Sequence, residues 1–173
     1  MIVILIGYMA SGKSTLGSVL AEKLHCNFID LDDYIINEEG TSVETIFKNK
    51  GEIYFRKLET KCLNKIIKEK NNLVLSLGGG TPCYADNMFN ILSSKNVKSF
   101  YLRASVSSLV ERLKNKKSKR PLIAHLNTNE ELNEFIAKHL FERHAFYNQA
   151  HVKISIDGKS KQEILNELLL HLV

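Results

Sequence analysis

The chain has 173 residues, 44% apolar and 25% charged, a balance that fits one packed domain and excludes a disordered, fibrous or coiled-coil protein. A formal charge of +5 suits a protein that handles phosphates as well as one that touches nucleic acid weakly, so charge alone assigns no partner. The three cysteines, Cys26, Cys62 and Cys83, stand far apart with no CxxC pairing, which argues against a disulfide framework or zinc site and for a reducing, cytoplasmic setting.

The apolar run Met1–Ile6 lacks a basic flank and a cleavage site, and it stops at Gly7, far short of a membrane span. It reads as a buried first strand. Gly7-Tyr8-Met9-Ala10-Ser11-Gly12-Lys13-Ser14 follows at once and matches GxxxxGK[ST], directly before a helix expected over Ser14–Leu24. In that context successive N–H groups and the helix N-terminus face phosphate oxygens. Lys13 neutralises the β and γ oxygens and Ser14 offers its hydroxyl to Mg²⁺. Ala10, Ser11, Gly12 and Thr15 complete the nucleotide-binding set.

Further short apolar runs occur at Phe28–Leu31, Leu73–Leu77, Ser99–Leu102 and Val152–Ile156. Helical spacing marks Ser42–Lys50, Glu52–Lys70, Tyr84–Leu92, Val106–Leu113, Glu130–Tyr147 and Lys161–His171. Strands alternating with helices predict right-handed crossovers and a five-stranded parallel sheet covered on both faces, a three-layer α/β/α architecture. Ligands then gather at the carboxyl ends of the strands. The whole of 1–173 reads as one domain, with acceptor-binding helices at about 31–62. Its most linker-like stretch is Lys114–Asn129, which carries Lys116, Lys117, Lys119 and Arg120 ahead of Pro121 and reads as a mobile lid at about 112–128.

A metal-binding acid at the end of the third strand is missing; Gly78-Gly79-Gly80 stands there instead. The acids follow the second strand. In extended backbone Asp30 and Asp32 share one face, so that one serves the metal and the other the acceptor hydroxyl. Asp32 and Asp33 could also cap the next helix, and Asp33 is left as structural. Three consecutive glycines carry an entropic penalty that close ligand approach to the backbone would justify, with a plain turn as the alternative. Arg56 and Glu59 lie three apart on one helix, so a held guanidinium can clamp a carboxylate, and Arg143 on a late helix is the second candidate. The six histidines show no metal spacing, and His139 and His144 receive no role.

These residues together resemble shikimate kinase. The loop GYMASGKST, Asp30-x-Asp32, Phe55-Arg56-Lys57-Leu58-Glu59, the glycine triplet, Lys119-Arg120-Pro121-Leu122, and Arg143 followed by Tyr147 and Ala150 fall in that family's order and span nearly the whole chain. The resemblance implies a P-loop NTPase fold and transfer of the ATP γ-phosphoryl group to the 3-hydroxyl of shikimate. It implies that Asp32 binds ring hydroxyls near the attacking oxygen, that Arg56 and Arg143 hold the substrate carboxylate, and that Glu59 orients Arg56. Gly78, Gly79 and Gly80 line the acceptor pocket, Asp30 acts on Mg²⁺, Arg112 packs on adenine, and Arg120 reaches the ATP phosphates from the lid. Two departures are visible: Ala10 replaces a glycine common in the family, and Leu31 occupies a place often polar.

The rival readings are a gluconate or nucleoside monophosphate kinase and, from a different class, a nucleic-acid-binding regulator using Lys114–Arg120. A two-arginine clamp suits a small acid better than a nucleotide, and the basic run lacks the interleaved aromatics that stack bases. The expected partners are therefore shikimate and ATP, with no nucleic acid and no membrane, acting on a monomer.

Overall fold

The computed structural model describes residues 1–115 and 122–172. In chain order the elements are β1 (Ile2–Ile6), α1 (Lys13–Lys23), β2 (Asn27–Asp30), α2 (Leu31–Glu39), α3 (Val43–Glu69) and β3 (Leu73–Ser76). A 3₁₀ turn at Thr81–Cys83 leads to α4 (Asn87–Ser93), β4 (Val97–Arg103), α5 (Val106–Leu113), α6 (Asn129–Tyr147), β5 (Val152–Ser155) and α7 (Lys161–Leu170). The strands pair in the order β2-β3-β1-β4-β5, and every pairing is parallel.

Alternation along the strands builds two cores. Ile2, Ile4 and Ile6 of β1 pack with Leu73, Leu75 and Leu77 under α2, α3 and α4. Val3 and Leu5 face the other way, joining Val74, Phe100, Leu102 and Ile154 under α1, α5 and α7. This is the three-layer arrangement, and burial on both faces is why these strands carry no polar alternation. α6 spans the two layers: Leu132 and Ile136 belong to one core and Tyr147 to the other, with Leu140 packed against both.

Side chains cap most helices. Asp30, Ser42, Ser105, Thr128 and Ser160 accept from backbone N–H groups in the first turns of α2, α3, α5, α6 and α7, with full capping boxes at Thr128 and Ser160. α1 differs, because its N-cap is Gly12 at φ 94° with no side-chain cap.

Three local expectations change. α2 starts at Leu31, where the acceptor-binding helices at about 31–62 are expected to begin, so Asp30 and Asp32 are not two residues of one extended strand sharing a face. Asp30 is itself the cap, accepting from the Asp32 N–H at 3.1 Å, and neither Asp32 nor Asp33 does that job. Leu31, which has no exposure, anchors the new helix in the core. The helix expected over Tyr84–Leu92 begins only at Asn87, as α4; residues 84–86, between the 3₁₀ turn and α4, are non-helical, with Ala85 at φ 47°. Ser42–Lys50 and Glu52–Lys70 do form two helical runs, joined end to end in α3 across the non-helical Gly51.

Candidate active site

The carboxyl ends of β1, β2 and β3 open on one cleft of about 490 Å³. Its wall runs from Ala10 and Gly12–Thr15 through Asp30 and Asp32 to Gly78 and Gly79, with Arg112 and Lys161 also bordering it. An uncapped helix N-terminus that opens into such a cleft offers its backbone N–H groups to an anion. Lys13 is 9% exposed, and its ammonium donates to the carbonyls of Gly7 and Tyr8 at 2.9 and 3.0 Å. Arg112 donates to the Ala10 carbonyl at 3.1 Å, which fixes a guanidinium at the loop's flank. Ala10 sits at φ 64°, in the left-handed region, which explains why a glycine serves well there. Ser11 is the exception among the expected nucleotide contacts: its side chain is buried toward Gly7, off the cleft wall, with no hydrogen-bond partner among the described residues.

Two oxygens meet beside Lys13. The Ser14 hydroxyl donates to Asp30 Oδ2 at 2.7 Å while Oδ1 caps α2, so one carboxylate serves both contacts. Asp32, one helical step further, is half-buried, and its acidity is weakened to a pKa of about 6. Burial is the main cause, followed by the charges of Asp30 and Glu59, with Lys13 working in the opposite direction. Among the described residues no group of three or more His, Cys, Asp or Glu side chains could hold a metal ion.

The glycine triplet is the meeting point of the acceptor candidates. A Cβ built on Gly78 would lie 3.3 Å from Asp32 Oδ1, one on Gly79 would lie 3.3 Å from an Arg143 terminal nitrogen, and one on Gly80 would lie 2.7 Å from both terminal nitrogens of Arg56. Gly80 therefore excludes any larger residue unless Arg56 is displaced. The turn reading also holds, since the Thr81 and Cys83 N–H groups donate to the Gly78 and Gly80 carbonyls at 3.1 and 2.9 Å. Arg56 and Arg143 thus converge on neighbouring glycines, and Lys13 shares its cleft wall with Gly78 and Gly79.

Each arginine is held from behind. Arg56 donates to Glu59 Oε2 at 2.6 Å, and the other Glu59 oxygen accepts from the Thr81 hydroxyl at 2.6 Å. Glu59, 1% exposed, thereby ties α3 to the glycine turn. Arg143 lies over the Tyr8 ring at 5.5 Å, and one turn later the Tyr147 hydroxyl donates to the Gly79 carbonyl at 2.5 Å. Burial raises the Tyr8 phenol to about 12 against the pull of Arg143, and Tyr8 shares a 3.2 Å hydrogen bond with His139.

Sequence reasoning missed Lys161, Thr81 and Tyr8. Lys161 follows the last strand's carboxyl end, so the rule that found Asp32 could have found it. Thr81 and Tyr8 carried no signal, because their roles depend on which distant side chain arrives beside them. Arg120 and the basic residues Lys116, Lys117 and Lys119 lie outside the described residues. The far flank of the expected lid is anchored, with Ile123 fully buried in the core.

Comparison with known proteins bears on the family and the fold. The shikimate kinase family profile matches residues 9–173. A shikimate kinase of Flavobacterium psychrophilum is 47% identical over 167 residues, covering 96% of this chain and 95% of the relative. The crystal structure of shikimate kinase from Bacteroides thetaiotaomicron superimposes with a TM-score of 0.89 at 35% identity, covering 99% of this chain and 98% of that one. The Acinetobacter baumannii shikimate kinase in complex with shikimate gives 0.85 at 30% identity, over 99% and 92% of the two chains.

Proposed function

Because the chain belongs to the shikimate kinase family, we propose that it transfers the γ-phosphoryl group of ATP to the 3-hydroxyl of shikimate. The products are shikimate 3-phosphate and ADP, a step in the biosynthesis of aromatic amino acids. The observation that carries this reading is the glycine triplet, where a carboxylate and two guanidinium groups each approach one of three successive glycines beside the phosphate loop.

Phosphoryl transfer through a loose transition state calls for alignment and charge neutralisation more than covalent help. Lys13 supplies the cation for the β and γ oxygens, and Arg112 stands at the nucleotide's flank. Arg120, outside the described residues, takes the role that the family resemblance implies, a further cation for the phosphates. Ser14 Oγ and the Asp30 carboxylate are hard oxygens 2.7 Å apart and fit Mg²⁺, which takes one or two protein oxygens besides phosphate and water. When bound, Mg²⁺ neutralises charge on the phosphate oxygens. Arg56 and Arg143 grip the acceptor's carboxylate, and Asp32 holds its hydroxyl toward the nucleotide. With a pKa of about 6, Asp32 is mostly ionised at neutral pH, so it orients the hydroxyl first and can accept its proton late. Closure of a lid over about 112–128 would exclude water, which would otherwise compete as acceptor.

All of these groups come from one chain, so a monomer suffices. No helix among the described residues is long and apolar enough to cross a membrane, and a cytoplasmic setting fits the three free cysteines.

An assay of ADP release across shikimate, quinate, gluconate and nucleoside monophosphates tests the proposal. Shikimate should give by far the highest kcat/KM; comparable turnover of a nucleoside monophosphate would overturn it. Arg56→Ala and Arg143→Ala should each raise KM for shikimate by about two orders of magnitude, as a loss of roughly 2–5 kcal/mol implies. KM for ATP should stay near the wild-type value, and equal effects on both substrates count against the clamp.

A further inference from the structure

The guanidinium of Arg56 has a second set of neighbours that the clamp role does not use. Its Cζ lies 4.2 Å from the centroid of the Tyr84 ring, on the segment just beyond the glycine turn. The Tyr84 hydroxyl donates to Glu52 Oε1 at 2.9 Å, and the same oxygen accepts from Arg56 Nε at 3.4 Å. One carboxylate oxygen therefore joins ring and guanidinium. On the sheet side Glu59 takes NH1 at 2.6 Å, and Gly80 leaves no room for a Cβ beside the two terminal nitrogens. NH2 hydrogen-bonds to neither carboxylate.

Beyond Tyr84 the surface is open. A separate cleft of about 440 Å³, sharing no lining residue with the cleft at the strand ends, is lined by Glu52, Ile53, Arg56, Lys57, Thr60 and Tyr84. An arginine side chain has many rotamers and loses affinity for a planar anion whenever it is not presented in one of them. Without the Tyr84 ring, Arg56 has free volume into which to swing away from the glycine turn. Glu59 alone fixes one nitrogen and leaves rotation about it.

We propose that Tyr84, fastened by Glu52, is a positioning residue that presents the Arg56 guanidinium edge-on to the substrate carboxylate and so sets the enzyme's preference for an acid over its neutral counterpart. The geometry suits the task. An aromatic face near a guanidinium stabilises it without occupying its in-plane N–H donors, which stay available for a bidentate carboxylate. A third carboxylate in place of the ring would compete with the substrate. Tyr84 is 38% exposed and lies outside both cores, so its replacement leaves the packing of the fold intact.

This inference rests on the shikimate-phosphorylating reading above, and the test separates the two. Wild type, Tyr84→Phe and Tyr84→Leu are assayed with shikimate and with its carboxamide, which keeps the ring and hydroxyls but lacks the charge. Tyr84→Leu should raise KM for shikimate about tenfold, equivalent to about 1.4 kcal/mol, with kcat and KM for ATP within about twofold. Its preference for shikimate over the carboxamide should fall by the same factor. Tyr84→Phe keeps the ring and loses only the Glu52 tie, so it should fall between wild type and Tyr84→Leu. A general loosening of the site would depress both acceptors equally and leave the ratio unchanged; that result, or unchanged kinetics in Tyr84→Leu, overturns the proposal. A wild-type enzyme inactive on shikimate would overturn the functional reading with it.

Discussion

At the scale of single residues, Asp32 shows a conflict between function and stability. Burial and the charges of Asp30 and Glu59 hold its pKa at about 6, against an unfolded value near 3.8. A carboxyl whose folded pKa is raised binds more protons in the native state over that interval. Its favourable contribution is therefore complete below about pH 4 and is lost as pH rises through about 6. Removing the charge should then stabilise the free enzyme at neutral pH. Asp32→Asn should melt about 2–6 °C higher than wild type at pH 7.5, with the difference vanishing near pH 4, while its kcat drops by at least about two orders of magnitude. Calorimetry at the two pH values with a parallel kinetic assay checks both halves; an Asn variant that melts lower at pH 7.5 would show the charge to be stabilising. In the wild type, kcat/KM for shikimate should decline below about pH 6 as this carboxylate takes up a proton.

Among the elements, α3 depends on its break. Gly51 adopts φ 79° and ψ 172°, a region open almost only to glycine, with nothing within 4 Å of a Cβ built there. The run before the break packs Ile46 against the core, and the run after it carries Glu52, Arg56 and Glu59 to the glycine turn. A continuous helix would rotate the second face away from the sheet. Gly51→Ala meets no steric neighbour, so its effect isolates backbone strain and should cost about 1–3 kcal/mol in urea denaturation. A neutral result would mean that the junction relaxes freely. The sequence pattern located this boundary, since glycine interrupts the helical spacing there, but not the bend between the two runs. The junction of β2 and α2 was blurred for a related reason: α2 directly abuts the strand, so the apolar run that marks β2 extends into Leu31, the first residue of the helix.

Across the whole molecule, α6 joins the two cores and carries Arg143 past the carboxyl edge of the sheet. Leu140 packs against both layers, so Leu140→Ala should lower stability by about 1–2 kcal/mol and raise KM for shikimate more than KM for ATP, because Arg143 lies one turn away. Equal effects on the two substrates would place the loss in the fold at large. The parallel three-layer architecture was legible in the sequence, because strands buried on both faces must be apolar throughout and parallel neighbours must be linked by helices. So was the phosphate loop, because its chemistry rests on contiguous backbone and its motif is local. The acceptor side was legible only as a set of candidates. Asp32, Arg56, Gly78–Gly80 and Arg143 come from four separate segments, and their convergence follows from a strand order of β2-β3-β1-β4-β5 that no local pattern encodes. Of the groups around each arginine, Glu59 was legible as the partner of Arg56 three residues along one helix, whereas Thr81 and Tyr84 on that side and Tyr8 beside Arg143 were decided by tertiary packing. Hydrogen bonds and ring contacts between residues distant in the chain exist only once the sheet has brought their strands together, whereas burial patterns and glycine loops are written residue by residue.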